Sequence, residues 1–243
     1  RRWQDAAYCF QIVRALVPDL LEPQHRLGLA QEALGDHEGA AITFERLVRL
    51  QPKVAHWRLH LCQAFKAQNQ LVAALEQVEA ALADDSGQAS LHSERGNILL
   101  MLNRQQEAEA AHKEAVALAP DDPQRRLGLA LVLQKRGQLD RAIEQFRAVA
   151  ATEVSATAHG QLGAALVEAG NRREAKQQFE RALAIDPKYI SALASLLAEG
   201  RQYAAARKKF EQAIAIDPDY IDGRYWYAMM ARQIGEYESA CEH

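Results

Sequence analysis

His56 and His60 stand four residues apart and are the side chains best suited to chemistry. At that spacing two imidazoles share one face of a helix, which is the arrangement a transition metal uses. A metal site also needs a third ligand in register. His25 and His92 fall in neighbouring helices of the same kind, but no carboxylate is evidently placed with them. The pair is therefore read as surface histidines, and no metal ligands and no cofactor are assigned. His112 occupies a column otherwise held by aromatic and apolar residues and is expected in the core. Catalysis has less support still. There is no nucleophile elbow, no phosphate-binding glycine loop and no paired-carboxylate motif. Asp84-Asp85 and Asp121-Asp122 fall between helices, where aspartate favours caps and turns. The expectation is a non-catalytic protein.

Cysteine and charge narrow the class further. Cys9, Cys62 and Cys241 match no metal or redox spacing, and each is expected as a small buried residue. This is no disulfide scaffold, which favours a reducing, cytoplasmic setting, with the periplasm as the alternative. The net charge of −3 gives no general attraction to nucleic acid or to an anionic membrane. The basic clusters Arg172, Arg173, Lys176 and Arg207, Lys208, Lys209 are interleaved with apolar residues and read as solvated helix faces. No apolar run reaches the ~18 residues of a membrane span, so direct insertion is not expected.

These residues sit on a repeating frame. Alanine recurs at Ala6, Ala40, Ala74, Ala108, Ala142, Ala175, Ala206 and Ala240, at spacings of 34, 34, 34, 34, 33, 31 and 34. Four positions later comes Phe10, Phe44, Val78, His112, Phe146, Phe179 and Phe210. Three later again comes Val13, Leu47, Ala81, Ala115, Val149, Ala182 and Ala213, and five after that Pro18, Pro52, Ser86, Pro120, Val154, Pro187 and Pro218. Steps of four and three keep these columns on one helical face, and proline stops the helix. A preceding helix carries the small residues Gly28, Cys62, Gly96, Ala130, Gly163 and Ala228. It ends near Gly35, Asn69, Asn103, Gly137, Gly170 and Gly235, the two residue types that most readily turn left-handed. Each unit is thus two antiparallel helices in close approach, and the chain is an array of such units.

The unit resembles the tetratricopeptide repeat, whose pattern is W-x2-L-G-x2-Y, then A-x3-F, then P. Residues 156–189 carry it best, through Leu162-Gly163, Leu166 in the tyrosine place, Ala175, Phe179, Ala182 and Pro187, with His159 in place of the tryptophan. The resemblance spans the whole chain. It implies an all-α fold, a right-handed α-solenoid superhelix of stacked antiparallel helix pairs. The array over 1–243 divides into a half repeat at 1–20, repeats at 21–54, 55–88, 89–122, 123–155, 156–189 and 190–220, and a truncated repeat at 221–243. The repeat before Pro218 lacks three residues in its first helix, so a change of superhelix pitch or an irregular joint is expected near Ala194–Gln202.

In proteins of this family the first helices line a concave groove. The resemblance therefore implies a scaffold that binds a peptide or protein segment there. Arg26, His56, His60, Gln63, Lys66, Asn97 and Gln134 are the candidate partner contacts, and the N-terminal part of the surface reads as basic with histidine. The column Arg26, His60, Glu94, Gly128, Gln161 lacks the asparagine ladder of sugar-transferring relatives, and the lysines and arginine of a chaperone-tail clamp do not accompany Asn97. An alternative is an accessory repeat region of a larger bacterial protein, a glycosyltransferase or a polysaccharide or secretion assembly. The apolar stretch Tyr225–Met230 raises self-association through the C-terminal repeat.

Overall fold

Ala40, Ala74, Ala108, Ala142, Ala175 and Ala206 have no accessible surface at all. Only a methyl fits where one helix crosses the next, and that single column sets the spacing of the structure. The structure is a computed structural model and describes residues 2–152, 155–216 and 221–235. Among these residues there are fourteen α-helices, one short 3-10 turn and no strand. Pro218, Ala240 and Cys241 lie outside the described residues, as does Val154. The fold is all-α, an α-solenoid built of helix pairs.

The chain divides into two compact units, Arg1–Gly128 and Leu129–His243. The first holds α1 (Arg2–Leu16), α2 (Leu21–Leu34), α3 (His37–Leu50), α4 (Ala55–Ala67), α5 (Leu71–Asp84), α6 (Ala89–Met101) and α7 (Gln105–Leu118), and α8 (Pro123–Lys135) begins in it. The second holds α9 (Leu139–Thr152), α10 (Ala156–Glu168), α11 (Arg172–Ile185), a 3-10 turn (Pro187–Tyr189), α12 (Ile190–Glu199), α13 (Tyr203–Ile216) and α14 (Ile221–Ile234). Within the units the consecutive helices from α1 to α7 and from α9 to α14 pack each on the next, so burial is local and repeated. No described helix is long and apolar enough to cross a membrane.

Glycine in the first helix of a pair makes room for a ring from the second. A Cβ on Gly28 would stand 2.6 Å from Phe44 Cζ, and one on Gly163 would stand 2.7 Å from Phe179 Cε1. His112 fills the same space in its own repeat. It is 1 % exposed and lies between Gly96 and Gly128, so the expectation of a core histidine holds. Cys62 is buried as expected, but Cys9 is exposed on α1. The first helix pair has only Ala7 buried on α1, too little apolar surface there to cover a thiol.

The turns inside the pairs are left-handed at Gly35, Asn69, Asn103, Gly137, Gly170 and Gly235, with φ between 59° and 83°. A seventh lies at Arg201, φ 59°, while its neighbour Gly200 stays at φ −77°. There α12 closes as the others do, with Gln202 N–H donating to the Leu197 carbonyl as Gln70 N–H donates to Phe65. The irregular joint expected at 194–202 is therefore not there. The missing turn is lost upstream, where the 3-10 turn at Pro187–Tyr189 replaces the start of a helix only 10 residues long. Tyr189 lies over Gly160, where no Cβ would fit.

Candidate partner-binding surface

The surface is built from first helices, and its foundation is a device that the sequence hides. In four successive repeats a side chain six residues beyond the proline column donates to that column's carbonyl. Gln24 Nε2 reaches the Pro18 oxygen at 2.6 Å, Arg58 Nε the Pro52 oxygen at 3.0 Å, His92 Nε2 the Ser86 oxygen at 2.9 Å and Arg126 Nε the Pro120 oxygen at 2.9 Å. Each bond satisfies a carbonyl that the interrupted helix leaves over. Three residue types perform one task in four repeats, so similarity of residue could not show it. Their position at a fixed distance from proline could have. His92 is committed to this bond rather than to the other histidines. The aspartates behave as expected of turn residues: Asp85 accepts from Gly87 N–H at 2.9 Å and Asp122 from Gln124 N–H at 2.8 Å.

On the shared face of α2, α4 and α6 the predicted contact residues fall into two groups. The first joins α2 to α4. His56 is exposed and His60 half-buried, with their Nε2 atoms 3.2 Å apart. His60 Nδ1 donates to Glu32 of α2 at 3.0 Å, and the Phe44 ring stacks on the His60 ring with centroids 4.8 Å apart. His25 of α2 completes the group, its ring centroid 5.2 Å from that of His56. One ring nitrogen from each of His25, His56 and His60 lies within 4.8 Å of the others. The third nitrogen that the spacing of His56 and His60 left wanting is thus supplied by the preceding repeat. Burial, then the neighbouring imidazoles His56 and His60, hold the His25 pKa below its ordinary value. Burial followed by His60 does the same for His56.

The second group joins α4 to α6. Lys66 Nζ is 2.6 Å from Glu94 Oε1, and Gln63 Nε2 donates to the same oxygen at 3.0 Å. The Cys62 Sγ also approaches Glu94, at 3.8 Å, and burial with the Glu94 charge pushes the Cys62 thiol up to about 12. Glu32 to His60 and Lys66 to Glu94 span the same interval of 28 positions, so one stacking register makes both contacts. Arg26 is exposed and paired with Glu22 at 2.7 Å. The basic character read from the sequence is accordingly not a field of free charge: both of its cations face carboxylates. Asn97 is exposed on α6. Gln134 lies in the second unit, where it donates to Glu168 at 2.6 Å.

A further feature lies in the second unit. A cleft of about 610 Å3 is lined by Arg172, Glu199, Phe210, Trp226, Met229 and others, with Trp226 and Tyr225 about half exposed.

Comparison with known proteins agrees with the fold. The tetratricopeptide repeat pattern matches residues 24–53, 59–123, 156–189 and 191–242, most of the chain. No curated protein sequence matches it. Among solved structures, MamA is 24% identical with a TM-score of 0.60, over 67% of this chain and 95% of its own. YrrB, described as a TPR protein with an unusual peptide-binding site, is 20% identical with a TM-score of 0.59, over 81% of this chain and 99% of its own. Yeast Tom70 is 17% identical with a TM-score of 0.72, over 98% of this chain and 53% of its own. At these identities the likeness is one of fold.

Proposed function

The chain belongs to the tetratricopeptide repeat family, and on that premise we propose that it is a non-catalytic scaffold. It holds a peptide or protein segment against the exposed faces of its first helices. One observation carries this reading. The second helices use Ala40, Phe44 and Leu47, and their equivalents, for packing, whereas α4 and α6 present exposed His56, Gln63 and Asn97, which have no such duty. YrrB, which shares the fold, has a peptide-binding site. Gln63 and Asn97 can bond a peptide backbone, and the half-exposed Met101 can take an apolar side chain. The Lys66–Glu94 pair fixes α4 against α6 and offers no free charge, so binding by this reading depends on polar and shape contacts.

Photo-crosslinking tests it. A crosslinker at Gln63 or Asn97 is expected to capture a bound partner, and one at the exposed Glu76 or Glu114 of the second helices is not. Equal capture from both faces would remove the reading. For the C-terminal face the occupant is a second copy of the chain, meeting the half-exposed Tyr225 and Trp226 of α14. Light scattering of the wild type and of Trp226→Ser measures it, and a monomer at every concentration would dismiss it.

A further inference from the structure

Three imidazoles from two successive first helices converge without stacking face to face. The rings of His25 and His56 are inclined at 78°, those of His25 and His60 at 60°, and those of His56 and His60 at 88°. This is not a stack held by ring faces. One ring nitrogen from each lies within 4.8 Å of the others. His56 Nε2 and His60 Nε2 are 3.2 Å apart. Two imidazole nitrogens bound tetrahedrally at about 2.0–2.1 Å from one ion would stand about 3.3 Å apart. His25 Nε2 is buried and has no hydrogen-bond partner. A buried polar nitrogen without a partner is costly and asks for an explanation, and an ion supplies one.

The surroundings fit the same purpose. Glu32 holds Nδ1 of His60 at 3.0 Å, which fixes the tautomer that leaves Nε2 with its lone pair facing His56. Phe44 lies flat against His60, at 12° between planes, and closes the inner side with apolar surface. The exposed His56 leaves the outer side open for entry. Three imidazoles with no thiolate suit zinc, copper or nickel over magnesium or calcium. Cys62 is turned to Glu94 instead.

We propose that His25, His56 and His60 bind a single divalent transition-metal ion of the zinc type, with Glu32 as the positioning residue for His60 and the fourth coordination place open to solvent. The three candidate ligand nitrogens already lie within 4.8 Å of one another on one face. The site stands independently of whether a peptide binds nearby.

The test uses the whole chain, stripped with a chelator and titrated with Zn2+ by calorimetry and with Co2+ by visible absorption. One ion per chain and a tetrahedral cobalt band are expected. His25→Gln, His56→Gln and His60→Gln should each weaken binding about tenfold or more, and His37→Gln should not change it. Glu32→Gln should weaken binding about tenfold while the tetrahedral band persists, with Glu32→Asp restoring part of the affinity. Nitrogen NMR of the unaltered chain needs no variant: Zn2+ should shift the ring nitrogens of His25, His56 and His60 and leave His112 unmoved. Absence of saturable uptake by the wild type, or uptake that survives all three histidine substitutions, would overturn the proposal. Equal shifts at His112 would overturn it as well.

Discussion

Phe44 and His112 hold the same place in the repeat, two repeats apart, and each fills the gap left by glycine in a first helix. Phe44 does so with an apolar ring and also stacks on His60. His112 does so with two ring nitrogens that find no partner. The column therefore demands a flat ring of a certain size, and polarity is tolerated at a cost. Burial, then the Arg125 charge, pulls the His112 pKa down to about 4.

The largest expected effect breaks the symmetry between the two rings with acid. An ordinary histidine titrates at 6.5 and folded His112 at about 4, so the unfolded chain takes up the proton first. The stability contributed by neutral His112 is complete above about pH 6.5 and is lost as pH falls toward 4, by about 3 kcal/mol. Urea unfolding followed by circular dichroism across that range measures it, with His112→Phe as the reference that lacks this slope. Next comes the glycine that faces each ring. A Cβ at Gly28 meets Phe44 Cζ at 2.6 Å and one at Gly96 meets His112 Cδ2 at 2.5 Å. Gly28→Ala and Gly96→Ala should each lose about 2 kcal/mol in thermal or urea unfolding, because overpacking outweighs the gain in helix propensity. A neutral or stabilising result at either would show that its ring is free to move aside. At pH 8, His112→Phe itself should stabilise the chain by about 1–2 kcal/mol, since two unbonded polar atoms leave the core. A loss there would mean that the imidazole has a partner. The smallest effect carries the question of shape against chemistry to the turns. Asn69, Asn103 and Arg201 share φ 59°, but only arginine has no local polar reason for it. Arg201→Gly should raise stability by about 0.5–1 kcal/mol, read as a small rise in the unfolding midpoint.

The turns were legible in the sequence because a left-handed residue is a local steric matter. Gly35 and Asn69 announce it by type. Arg201 does not, and so it was found only in the structure. The helix pairs were legible for a related reason: Ala40, Phe44, Leu47 and Pro52 state a period, a face and a stop within one stretch of chain. The shortened helix at 190–199 was also visible as missing residues, but its consequence was misplaced. The absent turn was taken up by the 3-10 turn before α12, since the buried Leu193, Ala194, Leu196 and Leu197 hold the rest of that helix in place.

The candidate surface was legible only in part. Exposure of His56, Gln63 and Asn97 follows from helical phase, which the sequence carries. What those side chains meet does not. Glu32 with His60 and Lys66 with Glu94 are each 28 positions apart, a separation set by how far one first helix is staggered on the next. No propensity or period in a single helix encodes that stagger. The sequence by itself determined that this chain is an array of helix pairs and which face of each pair is buried, because those are consequences of local sterics and apolar spacing. Tertiary structure alone decided that Lys66 is paired rather than free, and that His25 joins His56 and His60, because those contacts depend on the docking of one repeat against another.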